Sequence, residues 1–93
     1  MSYRKGANFE RRVKQYFERK GFYVVRSAGS HGTFDLLAVR QFTVLGIQCK
    51  IDGKLSTKEK KKMLEAYKKY GIVPILAYRD GKKLKLRYLT DQG

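Results

Sequence analysis

Cysteine is nearly absent from this chain. Cys49 stands alone among 93 residues, so neither a disulfide framework nor a cysteine cage for a metal can form, which points to an intracellular setting. Long apolar runs are missing as well. Nothing approaches the roughly 18 residues of a spanning helix, and residues 1–5 lack the apolar core of a signal peptide, so no membrane association is expected. Repeats, low-complexity stretches and linkers are lacking too, and the length suits one domain over residues 1–93. Acids are scarce. Eight Asp and Glu face 22 Lys and Arg, for a formal net charge of +14. Such an excess repels itself in a folded chain, and a polyanionic partner, nucleic acid above all, is its natural explanation. The plainer alternative is a ribosome-associated or merely soluble basic protein. Apolar residues at 42%, with seven Tyr and five Phe, are enough for a core and argue against global disorder.

Hydrophobic spacing predicts the element order α-β-β-β-α-β-β, an α/β fold. Residues 5–20 read as a helix, with Phe9, Val13, Tyr16 and Phe17 on one face, basic residues elsewhere and Gly21 as the stop. Strands are expected over 22–26, 34–39 and 43–50, the last two joined through Arg40-Gln41-Phe42 as an antiparallel hairpin, because a parallel crossover needs many more residues. Residues 27–33 read as a loop. Ser56 and Glu59 form a capping-box pattern that starts a second helix at Thr57, with Met63, Leu64, Tyr67 and Tyr70 as its apolar stripe and Gly71 as its end. Residues 72–79 are almost continuously apolar, as in a central strand covered on both faces. Pro74 near its start is tolerable if that stretch is irregular or unpaired. Asp80-Gly81 marks a turn, and residues 84–89 alternate as a half-exposed final strand.

Asp35 interrupts an otherwise apolar strand, so its carboxylate must be solvated, paired or bound to a cation. Gln48 and Lys50 lie two apart on the next strand and share a face, while Cys49 points to the core as a small apolar residue. A hairpin brings Asp35 beside them. One acid, one amide oxygen and one ammonium on one sheet face suit phosphodiester hydrolysis. Mg²⁺ takes hard oxygen ligands and few protein carboxylates, and a lysine can stabilise charge on the phosphate. A solvated Asp with a sheet-edge Lys is the bland alternative.

The chain resembles the PD-(D/E)xK nucleases, and among them the archaeal-type Holliday junction resolvases. The resemblance rests on Lys5-Gly6 with Phe9-Glu10-Arg11, on Val25-Arg26-Ser27-Ala28-Gly29-Ser30, on Asp35-Leu36-Leu37-Ala38, on Gln48-Cys49-Lys50 and on Tyr70-Gly71-Ile72-Val73-Pro74. It implies a restriction-endonuclease-like fold, a mixed β-sheet flanked by helices. It further implies a metal-dependent endonuclease that resolves four-way junctions, with Mg²⁺ or in its place Mn²⁺, acting on branched DNA as a homodimer in the cytoplasm of an archaeal cell, or encoded by a virus of one. By the resemblance, Asp35 is the principal metal ligand, Lys50 the motif lysine and Glu10 a further acid of the metal site. Ser30 matches the catalytic loop serine, with Ser27 a weaker candidate, and Arg26 contacts phosphate. Gln48 stands where these resolvases usually have Glu. Its amide oxygen can ligate Mg²⁺ but brings no charge, which opens the alternative of a protein that binds branched DNA without cutting it.

Several residues also have simpler readings. Glu10 could pair with Lys14 at i,i+4 spacing. Ser27 and Ser30 could satisfy loop backbone groups, and His31 could be an idle loop residue. The lysine run Lys58, Lys60, Lys61 and Lys62, with Lys68 and Lys69, could be a solvated helix face. With the basic first helix, however, it reads as a surface that tracks phosphates. Arg4, Lys5, Arg11, Arg12, Arg26, Lys54, Lys58, Lys61 and Lys62 are therefore the DNA-binding candidates. The final strand or the second helix is the expected dimer face. A third class, a small RNA- or ribosome-binding module, predicts no role for Asp35.

Overall fold

The computed structural model describes residues 2–27 and 32–89, with side chains from residue 6 onward. The elements are α1 (Ser2–Arg19), β1 (Tyr23–Arg26), β2 (Leu36–Arg40), β3 (Thr43–Cys49), α2 (Thr57–Tyr70), β4 (Val73–Asp80) and β5 (Lys83–Tyr88). Their order is the predicted one. Boundaries move by a residue or two at most ends. The first helix begins earlier, at Ser2, because its opening residues carry neither proline nor a capping signal to stop it.

The five strands lie in chain order, β1-β2-β3-β4-β5. All neighbours are antiparallel except β3 and β4, which run parallel with α2 as their crossover. The β2–β3 hairpin closes tightly, Arg40 facing Thr43 across a two-residue turn whose second residue, Phe42, takes φ 61.

One face of the sheet packs on α1. Phe9, Val13 and Phe17 meet Val24, Leu36, Ala38, Leu45, Ile47, Ile75 and Ala77 in the main core. Each fully buried aliphatic side chain there contributes about 1.5–3 kcal/mol. The alternate residues of the strands turn to the other face, where α2 lies. There Phe34, Met63 and Leu89 form a second cluster with Leu37, Leu55, Leu64, Ala66 and Ile72. The capping box is present in both directions, and Gly71 ends α2.

Two expectations are corrected. Pro74 is neither irregular nor unpaired: it lies buried within β4, opposite Gly46 of β3. Its carbonyl accepts from the Leu89 N–H, and it stands one residue before the first β4–β5 register pair, so its missing N–H interrupts no such pair. Tyr67 and Tyr70 do not join the core, because the helix turns them past the sheet's covered area and both stay exposed. The final strand lies at the sheet edge, with Leu84 and Leu86 packed partly against the main core and Tyr88 exposed.

Gly46 lets the Phe34 ring and Ile72, just past the end of α2, lie close against the sheet. A Cβ there would lie 2.6 Å from the Phe34 ring and 2.7 Å from Ile72. Gly46→Ala is therefore expected to destabilise the fold by roughly 1–3 kcal/mol through overpacking. Urea denaturation measures this, and an unchanged midpoint would show that Phe34 can give way freely.

Candidate active site

Asp35 sits just before β2, and its backbone is held on both sides. Its N–H bonds the Ile47 carbonyl at 2.8 Å, and its carbonyl accepts the Ser27 N–H at 2.9 Å. The side chain is fixed as well, since Oδ2 accepts the Cys49 N–H at 2.8 Å. Burial pushes the Asp35 carboxyl above its usual range. The Cys49 hydrogen bond and the Lys50 charge oppose that shift without cancelling it.

Gln48 comes from β3 directly beside this carboxylate and is only 9% exposed, so its amide must find partners inside the protein. With its NH₂ turned to Asp35 it donates across 2.7 Å to Oδ2 and 3.2 Å to Oδ1. Turned the other way, the NH₂ reaches the Thr33 carbonyl at 3.4 Å. The first orientation is shorter and charge-assisted, and it avoids an oxygen-to-oxygen contact with Asp35. The second presents the amide oxygen to whatever Asp35 binds. Both orientations leave the NH₂ a partner.

Lys50 follows the end of β3, its N–H bonded to the Ala77 carbonyl of β4 at 2.9 Å. Its ammonium reaches α2, where it meets Glu59 Oε2 at 2.8 Å. Glu59 Oε1 accepts the Ser56 N–H at 3.1 Å, so one carboxylate both caps the helix and holds the lysine. These two contacts, the Lys50 one first, hold the Glu59 carboxyl below its usual range. The expectation that Lys50 shares a face with Gln48 stands, but its direct partner is Glu59. Sequence reasoning took Glu59 only as a cap. The capping box does reveal that its side chain turns back toward the preceding loop, but nothing local in the sequence names Lys50 as its second partner.

Glu10 arrives from α1 and meets Arg26 Nε at 3.3 Å, while Lys14 pairs with Glu18 at 2.8 Å. The alternative Glu10–Lys14 pairing is therefore not formed. Glu10, Arg11, Lys14 and Arg26 border a cleft of about 370 Å³ that reaches Leu36, next to Asp35. Among the described residues, no three His, Cys, Asp or Glu gather closely enough to hold a metal, so Glu10 lies near Asp35 without joining it in such a cluster. Cys49 packs against the main core. Burial, with Asp35 and Glu10 nearby, pushes its thiol far up, so it remains a thiol at neutral pH and is no nucleophile. Ser30 and His31 lie outside the described residues, as do the side chains of Tyr3, Arg4 and Lys5.

The family described as "Archaeal holliday junction resolvase (hjc)" matches residues 1–91. The chain belongs to this family. The crossover junction endodeoxyribonuclease Hjc of Methanocaldococcus jannaschii is 40% identical over 81 residues, covering 83% of this chain and 60% of the relative. The chain thus spans about three fifths of that relative's length. A solved structure of Archaeoglobus fulgidus Hjc, described as a Holliday junction resolvase from an archaeal hyperthermophile, superposes with a TM-score of 0.78 at 23% identity. It covers 91% of this chain and 73% of that one. At that identity the likeness is one of fold, and it agrees with the five-stranded mixed sheet and two helices.

Proposed function

We propose that this chain is a structure-selective DNA endonuclease that resolves four-way junctions by metal-dependent phosphodiester hydrolysis. The observation that supports this best is the Asp35 carboxylate, held at the sheet end against the Gln48 amide with Lys50 two residues on, in a chain of net charge +14. The donor set fits Mg²⁺ or Mn²⁺: one carboxylate oxygen and one amide oxygen, both hard, leave most of the shell to water and phosphate. Held by Asp35 and Gln48, such an ion would polarise the phosphate and acidify a water. The chain's own part is to hold the reacting groups. Asp35 supplies the anionic ligand, and Gln48 turns its oxygen inward while its NH₂ moves to Thr33. Lys50, held by Glu59, offers an ammonium to the charge that develops on the phosphate, and Arg26 offers a second cation at the cleft. Glu10 stands by as a further acid, and Ser30 belongs to the same proposal. Arg4, Lys5, Arg11, Arg12, Lys54, Lys58, Lys61 and Lys62 are proposed to bind phosphates.

The working unit is proposed to be a homodimer, because a four-way junction offers two symmetric scissile sites. On the α2 side of the sheet, Tyr23 pairs with Val39 and Val25 with Leu37. Tyr23 is 73% exposed, Tyr70 of α2 67% and Tyr67 41%. Together these residues form a largely apolar strip in a very basic protein, with the Lys69 ammonium over the Tyr70 ring at 5.7 Å from its centre. The tyrosines alone expose roughly 300–400 Å², a fair apolar centre for a standard interface of about 800 Å² per partner. Tyr23→Glu with Tyr70→Glu is expected to raise the dimer dissociation constant at least about tenfold, as read by sedimentation equilibrium. An unchanged constant would move the interface elsewhere.

A second reading, junction binding without cleavage, draws on one observation. In its shorter contact the Gln48 amide donates to Asp35 and adds no negative charge. One experiment separates the two: an end-labelled four-way junction, with a linear duplex of the same arms as control, incubated with Mg²⁺, Mn²⁺ or EDTA. Metal-dependent, paired, symmetric nicks on the junction alone support the resolvase. Tight binding with no cut in any metal supports the binding-only protein.

A further inference from the structure

Helix α2 covers only the middle of its face of the sheet and leaves a strip open on each flank. The β1–β2 flank is the apolar strip. The β4–β5 flank is opposite in character. There Tyr78 faces Lys85 and Leu76 faces Arg87 across the last ladder. A groove of about 610 Å³ runs between the loop after β3, the first turn of α2 and the end of β5, bordered by Gly53, Lys54, Leu55, Lys60 and Arg87. Among the described residues, no acidic side chain borders it.

The groove is built rather than incidental. Gly53 presses on the Tyr78 ring so closely that a Cβ would lie 3.2 Å from it, and its φ of 73 suits glycine. The Arg87 guanidinium lies over the same ring, 5.4 Å from its centre. Arg87 remains exposed, so its guanidinium can meet an anion while keeping this contact. Asp52, just before Gly53, turns its carboxylate to the Lys54 N–H at 3.0 Å and so braces the loop, while Glu59, just before Lys60, is paired with Lys50. Lys54 and Lys60 stand exposed on either side.

We infer that this groove binds the phosphodiester backbone of one arm of a branched DNA, with Lys54, Lys60 and Arg87 as its cations. The inference rests on the proposed function and adds a seat for the substrate that lies across α2 from the dimer strip. An arm seated there passes the loop between Lys50 and α2, and so runs from the reacting groups toward the β5 edge. Phosphate contacts of this kind position the substrate and carry no sequence information.

The test is metal-free binding of a labelled four-way junction over a salt series in EDTA, which needs no activity. Three proteins are compared with the parent chain: Lys54→Ala/Lys60→Ala/Arg87→Ala, Lys54→Ala/Lys60→Ala with Arg87 kept, and a control, Arg40→Ala/Lys82→Ala/Lys83→Ala. The control removes the same charge from exposed residues at the β2–β3 and β4–β5 turns, outside the groove. The groove triple variant is expected to bind at least tenfold more weakly and to flatten the log K against log salt slope by roughly 2–3, about 0.9 for each phosphate that is no longer neutralised. The double variant should flatten it by about two thirds of that amount, and the control should do so by much less. Equal weakening in the groove and control variants would overturn the groove, because net charge alone would explain it. An unchanged slope in the groove triple, with the parent binding tightly, would overturn the groove and leave the endonuclease reading standing. A parent chain that does not bind the junction would overturn both.

Discussion

Asp35→Asn is expected to reduce junction cleavage by about 10²–10³ or more while leaving junction binding nearly intact. The size follows from removing a preorganised electrostatic group at the reacting phosphate, which typically costs that much in rate. Binding survives because lysines and arginines spread over the surface supply it. The substitution is also structurally mild. An Asn oxygen can still accept the Cys49 N–H, and the Gln48 amide can turn its oxygen to the new NH₂. The same carboxylate makes a second, opposite claim on stability. Its folded pKa is raised above 3.8 by burial, so the folded chain holds that proton more tightly than the unfolded chain does. Stability from this group is therefore greatest at acid pH and falls as pH rises through the raised value. In metal-free buffer at pH 7, Asp35→Asn should raise the melting temperature, and the gain should shrink on acidification. Single-turnover cleavage and thermal unfolding in EDTA, measured on the same protein, check both halves. Wild-type cleavage by the variant would remove Asp35 from the site.

The second large effect belongs to Lys50. Lys50→Ala should slow the cleavage step by about 10²–10³, while binding weakens by at most one phosphate's share. Glu59 would be left without its partner, but it is partly exposed and water can take over, so the fold should persist. Glu59→Gln separates chemistry from support. Its amide oxygen can still accept the Ser56 N–H, so the helix cap is kept while the hold on Lys50 is weakened. A smaller loss of rate with an unchanged melting temperature is the expected pattern. Cleavage by Lys50→Ala within a few-fold of the parent would assign the chemistry to other cations.

Local chemistry made much of this architecture legible in advance. The capping box at Ser56 and Glu59, the tight turn after Arg40 and the helical spacing of Phe9, Val13 and Phe17 each act over a few residues, and each appears as read. So does the pairing of Asp35 with Gln48, which follows from the period of two and a short hairpin. What could not be read depends on contacts between distant segments. The parallel partnership of β3 with β4 places Pro74 in a buried strand. The limited reach of α2 across the sheet decides that Tyr67 and Tyr70 are exposed while Met63 is not. Glu59 meets Lys50 only because the loop after β3 folds back onto the helix start. The Gln48 amide is the subtlest case. Its residue type reveals that an oxygen is available, but only the neighbouring Thr33 carbonyl and Asp35 carboxylate decide where it points.

The two unlike flanks of α2 have a consequence for how such a protein can change over generations. A substitution at Tyr23 or Val39 would alter how copies associate, and one at Lys54 or Arg87 how substrate is held, with a whole helix and its core residues between them. Selection can then adjust partnership and grip separately, because neither surface shares a side chain with the other or with Asp35.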